Sequence, residues 1–193
     1  MKQIIIATAN ANKLLEYQSL LEHLKVDIYS LRDFDVGYIE ETGETFFENA
    51  KIKALAVQKV AKGIIIADDS GLEVAALDGK PGIHSRRFSE AGTDLSNNKK
   101  LLEVMENQAD RSARFVTAVC LIDEAGNINR FEGELHGYIH TACEGEHGFG
   151  YDPLFIPVGY TKTLGELDSA EKNKISHRAR CLRKVLTYLE SRD

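Results

Sequence analysis

Two carboxylates stand side by side where an apolar run ends. Gly63-Ile64-Ile65-Ile66-Ala67 leads directly into Asp68-Asp69-Ser70-Gly71. Adjacent negative charges repel each other, and burying either is costly unless it is paired. Carboxylates at the carboxyl end of a buried strand sit where α/β sheets open their ligand crevice. There they can hold Mg²⁺, a hard cation that takes oxygen ligands and keeps several waters, and the cation cancels the mutual repulsion. A carboxylate not fully used as a ligand can take a proton from attacking water. The simpler alternative is an Asx turn closing the strand, with Ser70 and Gly71 as turn residues. The doubled charge favours chemistry.

Four further stretches carry polar groups at element ends. Thr8-Ala9-Asn10-Ala11-Asn12-Lys13 falls where a first strand meets a first helix. A helix N-terminus offers unpaired N–H groups and a partial positive charge, which suit phosphate, and Lys13 adds a full charge. Plain capping by Asn10 or Asn12 is an equal reading. Glu40-Glu41-Thr42-Gly43-Glu44 completes a metal site or is a solvated acidic loop, and composition alone favours the loop. Gly148-Phe149-Gly150-Tyr151-Asp152-Pro153 mixes glycines, which let backbone approach a ligand, with aromatics that can stack on a base. A tight turn before a strand at Leu154-Phe155-Ile156 is the alternative. In Glu171-Lys172-Asn173-Lys174-Ile175-Ser176-His177-Arg178, Ser176 is placed to cap the last helix, which puts His177 and Arg178 in its first turn.

The elements that must position these groups follow from periodicity. Met1–Ile6 is too short for a signal peptide and reads as a first strand. Leu14, Tyr17, Leu21 and Leu24 repeat at helical spacing, and so do Phe47, Ala50, Ala54, Val57 and Ala61. Val26–Leu31 reads as a second strand, Ile64–Ala67 as a short buried one, and Leu72–Leu77 as a further strand. Leu95–Met105 is helical, and Arg114–Asp123 with Asn127–His136 forms a hairpin. Ala179, Leu182, Leu186 and Leu189 mark a final helix. Strands and helices alternate early and the hairpin follows, so the expected class is α/β with a mixed sheet.

Bulk properties set limits. A chain of 193 residues is one large domain or two small lobes sharing a core. The net charge of −6 argues against nucleic acid as a partner. A local cluster of lysines and arginines still allows a small polyanion. No apolar run is long enough to cross a bilayer, so no membrane role and a cytoplasmic location are expected. Cys120, Cys143 and Cys181 form no CxxC pair and are expected to be free thiols.

Five of these stretches occur in register with one family: Thr8–Lys13, Ala67–Leu72, Pro81-Gly82, Gly148–Pro153 and Ser176–Arg178. Together they resemble the inosine triphosphate pyrophosphatase family over residues 4–189, nearly the whole chain. The resemblance implies an elongated mixed β-sheet with flanking helices, two lobes around a central cleft within a single domain (1–193), and a homodimer. It implies Mg²⁺-dependent hydrolysis of ITP, dITP and XTP to the monophosphate and pyrophosphate, which cleanses the nucleotide pool. Carried onto this chain, it makes Thr8, Ala9, Asn10, Ala11, Asn12, Lys13 and Lys53 the triphosphate site. Asp69 becomes the catalytic carboxylate and a metal ligand, Ser70 a substrate contact, and Glu40 the second metal ligand, with Glu41 as the alternative. Phe149, Gly150, Tyr151 and Asp152 hold the base and its surroundings, and Lys172, His177 and Arg178 recognise the nucleotide. Two positions depart from the family's pattern: Ala9 stands where glycine is usual, and Gly165 where alanine often precedes the glutamate.

Overall fold

The computed structural model describes residues 3–24 and 26–192, so Met1 and Lys2, expected to begin the first strand, lie outside the described residues. Six strands join in one mixed sheet: β1 (Gln3–Ile6), β2 (Asp27–Ser30), β3 (Ile64–Val74), β4 (Ser112–Ile122), β5 (Ile128–Ile139) and β6 (Phe155–Pro157), in the order β2-β1-β3-β4-β5-β6. β1 is parallel to both neighbours, with Ile5 opposite Tyr29 on one side and Ile65 on the other. β5 and β6 are antiparallel, with Tyr138 opposite Ile156. The helices are α1 (Ala11–Leu21), α2 (Phe46–Gln58), α3 (Asp94–Val104), α4 (Ser169–Ile175) and α5 (His177–Glu190).

The chain divides into two compact units, and β3, β4 and β5 contribute to both. The first comprises residues 1–69, 117–133 and 178–193. β1 and the start of β3 are apolar at nearly every position because both faces are covered. Ile4, Ile6, Ile64 and Ile66 pack with Tyr17 and Leu21 of α1 and with Cys181, Leu182 and Val185 of α5. The alternate residues Ile5, Ala7, Ile65 and Ala67 pack with Ala50, Ala54 and Val57 of α2. Side chains alternate across a strand, so one isoleucine run serves two cores.

The second unit comprises residues 70–116 and 134–177. Its core joins Leu72 and Val74 of β3, Ala113 and Phe115 of β4, Leu135 and Ile139 of β5, and Leu101 of α3 with Met105. Tyr151, Leu154 and Phe155 close it.

Two expectations change here. Ile64–Ala67 and Leu72–Leu77 are not separate strands: β3 runs unbroken through Asp68-Asp69-Ser70-Gly71 to Val74, and a 3₁₀ turn takes Ala75–Leu77. Ser70 and Gly71 carry turn chemistry, but here they continue the extended strand. A second helix, α4, precedes the last one, and Ser176 (φ −58°, ψ 153°) interrupts the two. Seven residues with one buried side chain, Lys172, are too few to show a helical stripe.

Candidate active site

β3 outlasts its parallel neighbour. Pairing with β1 ends at Ile6 opposite Ile66, and the Ala7 amide donates to the Ile66 carbonyl. Asp68 and Asp69 therefore lie just beyond the carboxyl end of β1, which is the crevice position of a parallel sheet. They do not act as a side-by-side pair. Consecutive strand residues face opposite ways, so Asp68 follows Ile64 and Ile66 toward α1 and α5, while Asp69 follows Ile65 and Ala67 toward α2. The expectation that one cation cancels the repulsion of a side-by-side pair is corrected accordingly.

Asp68 is 1 % exposed and is neutralised by cations of the protein. Lys13 Nζ donates to its Oδ2 at 2.8 Å, and Arg178 Nε lies 3.6 Å from the same oxygen. Burial alone would raise the Asp68 pKa; the charges of Lys13 and Arg178 outweigh it and hold the carboxyl well below the usual carboxylate range. Arg178 is itself buried and also donates to Glu16 on α1. Burial opposes its charge, but Glu16 and Asp68 raise its pKa further above the usual value. Burial lowers the Lys13 pKa against the pull of Asp68. Tyr17, one turn after Lys13, points its buried hydroxyl into the same region, where it finds no hydrogen-bond partner among the described residues.

Asp69 faces a different company. Its Oδ2 accepts from Asn49 Nδ2 at 3.1 Å, and its Oδ1 lies 4.0 Å from Lys53 Nζ. Lys53 also donates to Glu41 Oε2 at 3.3 Å. Asn49 and Lys53 are four apart on α2 and so share a helix face. Burial raises the Asp69 pKa, and Lys53 and Lys13 oppose that only in part. A desolvated carboxylate with a raised pKa is well placed to take a proton or a cation.

At the start of α1, Asn10 takes the capping role: its Oδ1 accepts from the amides of Asn12 (3.0 Å) and Lys13 (3.3 Å). Thr8 is buried, and its Oγ1 accepts from the Asn10 amide at 3.2 Å. Ala9 fits without strain, since Asp78 is the one non-glycine with positive φ among the described residues. Glu40 and Glu41 are both exposed, and Glu41, the alternative to Glu40, is the one bonded to Lys53. No three His, Cys, Asp or Glu side chains converge as a metal cage among the described residues. Asp69 and Glu41, both within 4.0 Å of Lys53 Nζ, are the carboxylates that would hold Mg²⁺ if substrate phosphates supplied further oxygens.

The second unit holds its own polar cluster. Lys172 on α4 is 5 % exposed and bonds Asp152 Oδ2 at 2.5 Å. The same oxygen accepts from the Phe149 amide at 3.0 Å, and the Lys172 ammonium stands 4.7 Å from the centre of the Phe149 ring. His177 is 5 % exposed and stacks on Phe115, with ring centres 5.0 Å apart and planes 13° from parallel. Tyr151 donates its hydroxyl to the Ser85 carbonyl at 2.6 Å, and burial pushes its pKa up. Buried ionic groups beside aromatic rings suit a flat heterocycle with polar edges.

Sequence reasoning missed Asn49, Glu16, Phe115 and Thr117, whose Oγ1 donates to the Asp69 carbonyl at 3.4 Å. Asn49 had a signal: with Lys53 it interrupts an apolar helix face at four-residue spacing.

The mixed sheet with its flanking helices defines an α/β protein, with a carboxylate–lysine cluster in the first unit and an aromatic–ionic cluster in the second as candidate sites. Comparison with known proteins narrows this. The Ham1 family model matches residues 4–188. A dITP/XTP pyrophosphatase of Bacillus licheniformis is 46% identical over 98% of this chain and 99% of its own. That of Bacillus subtilis is 44% identical, covering 99% of this chain and 98% of its own. The solved structure of a HAM1 protein from Coxiella burnetii superposes with a TM-score of 0.87 at 40% identity, covering 99% of this chain and all of that one. The chain belongs to the Ham1 family.

Proposed function

We propose that this protein hydrolyses noncanonical purine nucleoside triphosphates (ITP, dITP and XTP) to the monophosphate and pyrophosphate. The observation that carries the proposal is Asp69: a mostly buried carboxylate with a raised pKa, held by Asn49 and set beside Lys53. Its relatives' activity toward dITP and XTP supports the substrate class.

Water attacks the α-phosphorus in line, and Asp69 orients that water and takes its proton. The start of α1, with Thr8, Asn10, Asn12 and Lys13, receives the triphosphate, and Ser70 adds a contact. Lys13 and Lys53 offset the charge that develops on the leaving pyrophosphate. Asp69, with Glu41 or Glu40, would hold Mg²⁺, which screens the triphosphate oxygens when bound. Arg178 helps hold Asp68, the partner of Lys13, because its contacts run to Asp68 and Glu16.

The base is recognised by the second unit's cluster. Inosine and xanthine carry a carbonyl at C6 where adenine carries an amine. The Lys172 ammonium, bonded to Asp152, can donate to that carbonyl and cannot accept from an amine, which favours a 6-oxo purine. Phe149 offers a face for the ring. The homodimer and the cytoplasmic location belong to this proposal and rest on the family resemblance; light scattering on the purified protein tests the first. Among the described residues, no helix is long and apolar enough to cross a membrane.

The reaction is tested by following dITP turnover in wild type and in Asp69→Asn. Pyrophosphate release by the first and its loss in the second is the expected result; an active Asp69→Asn protein contradicts the assignment.

A further inference from the structure

We propose that Asp94 and Asn98 of α3 are positioning residues for base recognition, acting by clamping Gly150. This rests on the reading of Phe149 and Lys172 as the base site. Gly150 lies between Phe149 and Tyr151 in a loop with glycines at positive φ on either side of Phe149, Gly148 at 75° and Gly150 at 63°. Such a segment has many accessible conformations and no side chain at Gly150 to restrain it. Both of its polar backbone groups are nevertheless held. The Gly150 amide donates to Asp94 Oδ2 at 2.7 Å, and its carbonyl accepts from Asn98 Nδ2 at 2.9 Å.

The two holders are matched to the task. They are four apart on one helix and so project from one face. One presents an acceptor to the N–H and the other a donor to the C=O, fixing the peptide planes before and after Gly150. The plane before Gly150 contains the Phe149 carbonyl, so its orientation sets where the Phe149 ring points. The Phe149 amide is held separately by Asp152, the partner of Lys172. Phe149 is thus fixed on one side by the Lys172–Asp152 pair and on the other by α3.

The helix is a rigid mount. Thr93 and Ser96 close its first turn as a capping box, and Leu101 and Met105 anchor it in the core. Asn97, next to Asn98, accepts from the Ser89 amide at 2.8 Å and donates to the Arg86 carbonyl at 3.0 Å, fixing the helix to the preceding segment. Asn98 differs from Asn97. It is 5 % exposed, yet its amide oxygen has no partner among the described residues. A buried acceptor without a partner costs stability, so Asn98 is oriented by its bond to Gly150 rather than by a network of its own.

The test compares Asp94→Ala, Asn98→Ala and Asp94→Asn with wild type in steady-state turnover of dITP. Inorganic tripolyphosphate serves as a competitive inhibitor that shares the phosphates and lacks the base. Asp94 is exposed, so its replacement spares the core. Each alanine variant is expected to raise KM for dITP about fivefold, the factor of one net hydrogen bond, with kcat within about twofold and the tripolyphosphate inhibition constant unchanged. Asp94→Asn keeps an acceptor oxygen and is expected to restore wild-type KM. An unchanged KM in both alanine variants overturns the clamp. So does a parallel weakening of dITP and tripolyphosphate, which marks a structural role. Wild-type protein that fails to turn over dITP overturns the functional reading itself, a result distinct from either.

Discussion

Asp68 and Asp69 are neighbours in sequence and turn to opposite faces of one strand: Asp68 meets Lys13 at 2.8 Å beside α1, and Asp69 meets Asn49 at 3.1 Å beside α2. The two carboxylates therefore do different work. One is locked among cations of the protein; the other has a raised pKa, which suits the base proposed above.

Replacing the locked carboxylate should unfold the protein before it reveals anything about chemistry. Asp68→Asn leaves Lys13 buried without its anion and takes one of two anionic partners from Arg178, and breaking a buried pair typically costs about 3–5 kcal/mol. Urea denaturation checks this, and a loss below about 1 kcal/mol would mean that the pair contributes little net stability.

Asp69→Asn should behave in the opposite way. Turnover is expected to fall on the order of 10²- to 10⁴-fold, the usual contribution of a positioned base. Thermal unfolding should show no loss of stability at pH 7, because an ionised, desolvated carboxylate is itself a cost there. A marked fall in Tm would identify Asp69 as structural.

The same contrast sets the pH dependence. Asp69 has a folded pKa raised above 3.8, so its stabilising contribution is present below the unfolded value and is lost as pH rises through the folded one. Asp68 has a lowered pKa, so its contribution is present above 3.8 and is lost as pH falls toward the folded value. For activity, Asp69 must be ionised. The acid limb of kcat/KM should lie above the ordinary aspartate range and move down with increasing Mg²⁺. An acid limb unmoved by the metal would separate Asp69 from metal binding.

Much of the fold was legible because the strands are apolar and the helices amphipathic. Ile4–Ile6 and Ile64–Ala67 announced buried strands, and the spacing of Leu14, Tyr17 and Leu21 announced α1. The course of β3 was not legible, because Ser70 and Gly71 carry turn chemistry while the ladder continues through them. That hid the opposite orientation of the two aspartates, which depends on the strand remaining extended. Lys13, Lys53 and Asp69 could be named from their chemistry and the family resemblance. Asn49 had a signal in its spacing with Lys53; Asp94 and Asn98 had none, since a polar residue on a helix reads as solvated until tertiary contacts show what it holds.

Chelation offers a check on the metal. Treating the purified protein with EDTA should abolish dITP turnover, and added Mg²⁺ should restore it. Full activity in chelator would mean that Lys13 and Lys53 alone screen the triphosphate.

The most direct test of the central claim is product identification. Purified protein and Mg²⁺ are incubated in parallel with dITP, XTP, dATP, dGTP and dTTP. Pyrophosphate and monophosphate from dITP and XTP, with little turnover of the others, is the predicted result. Release of single phosphates, or equal turnover of all five, would contradict it.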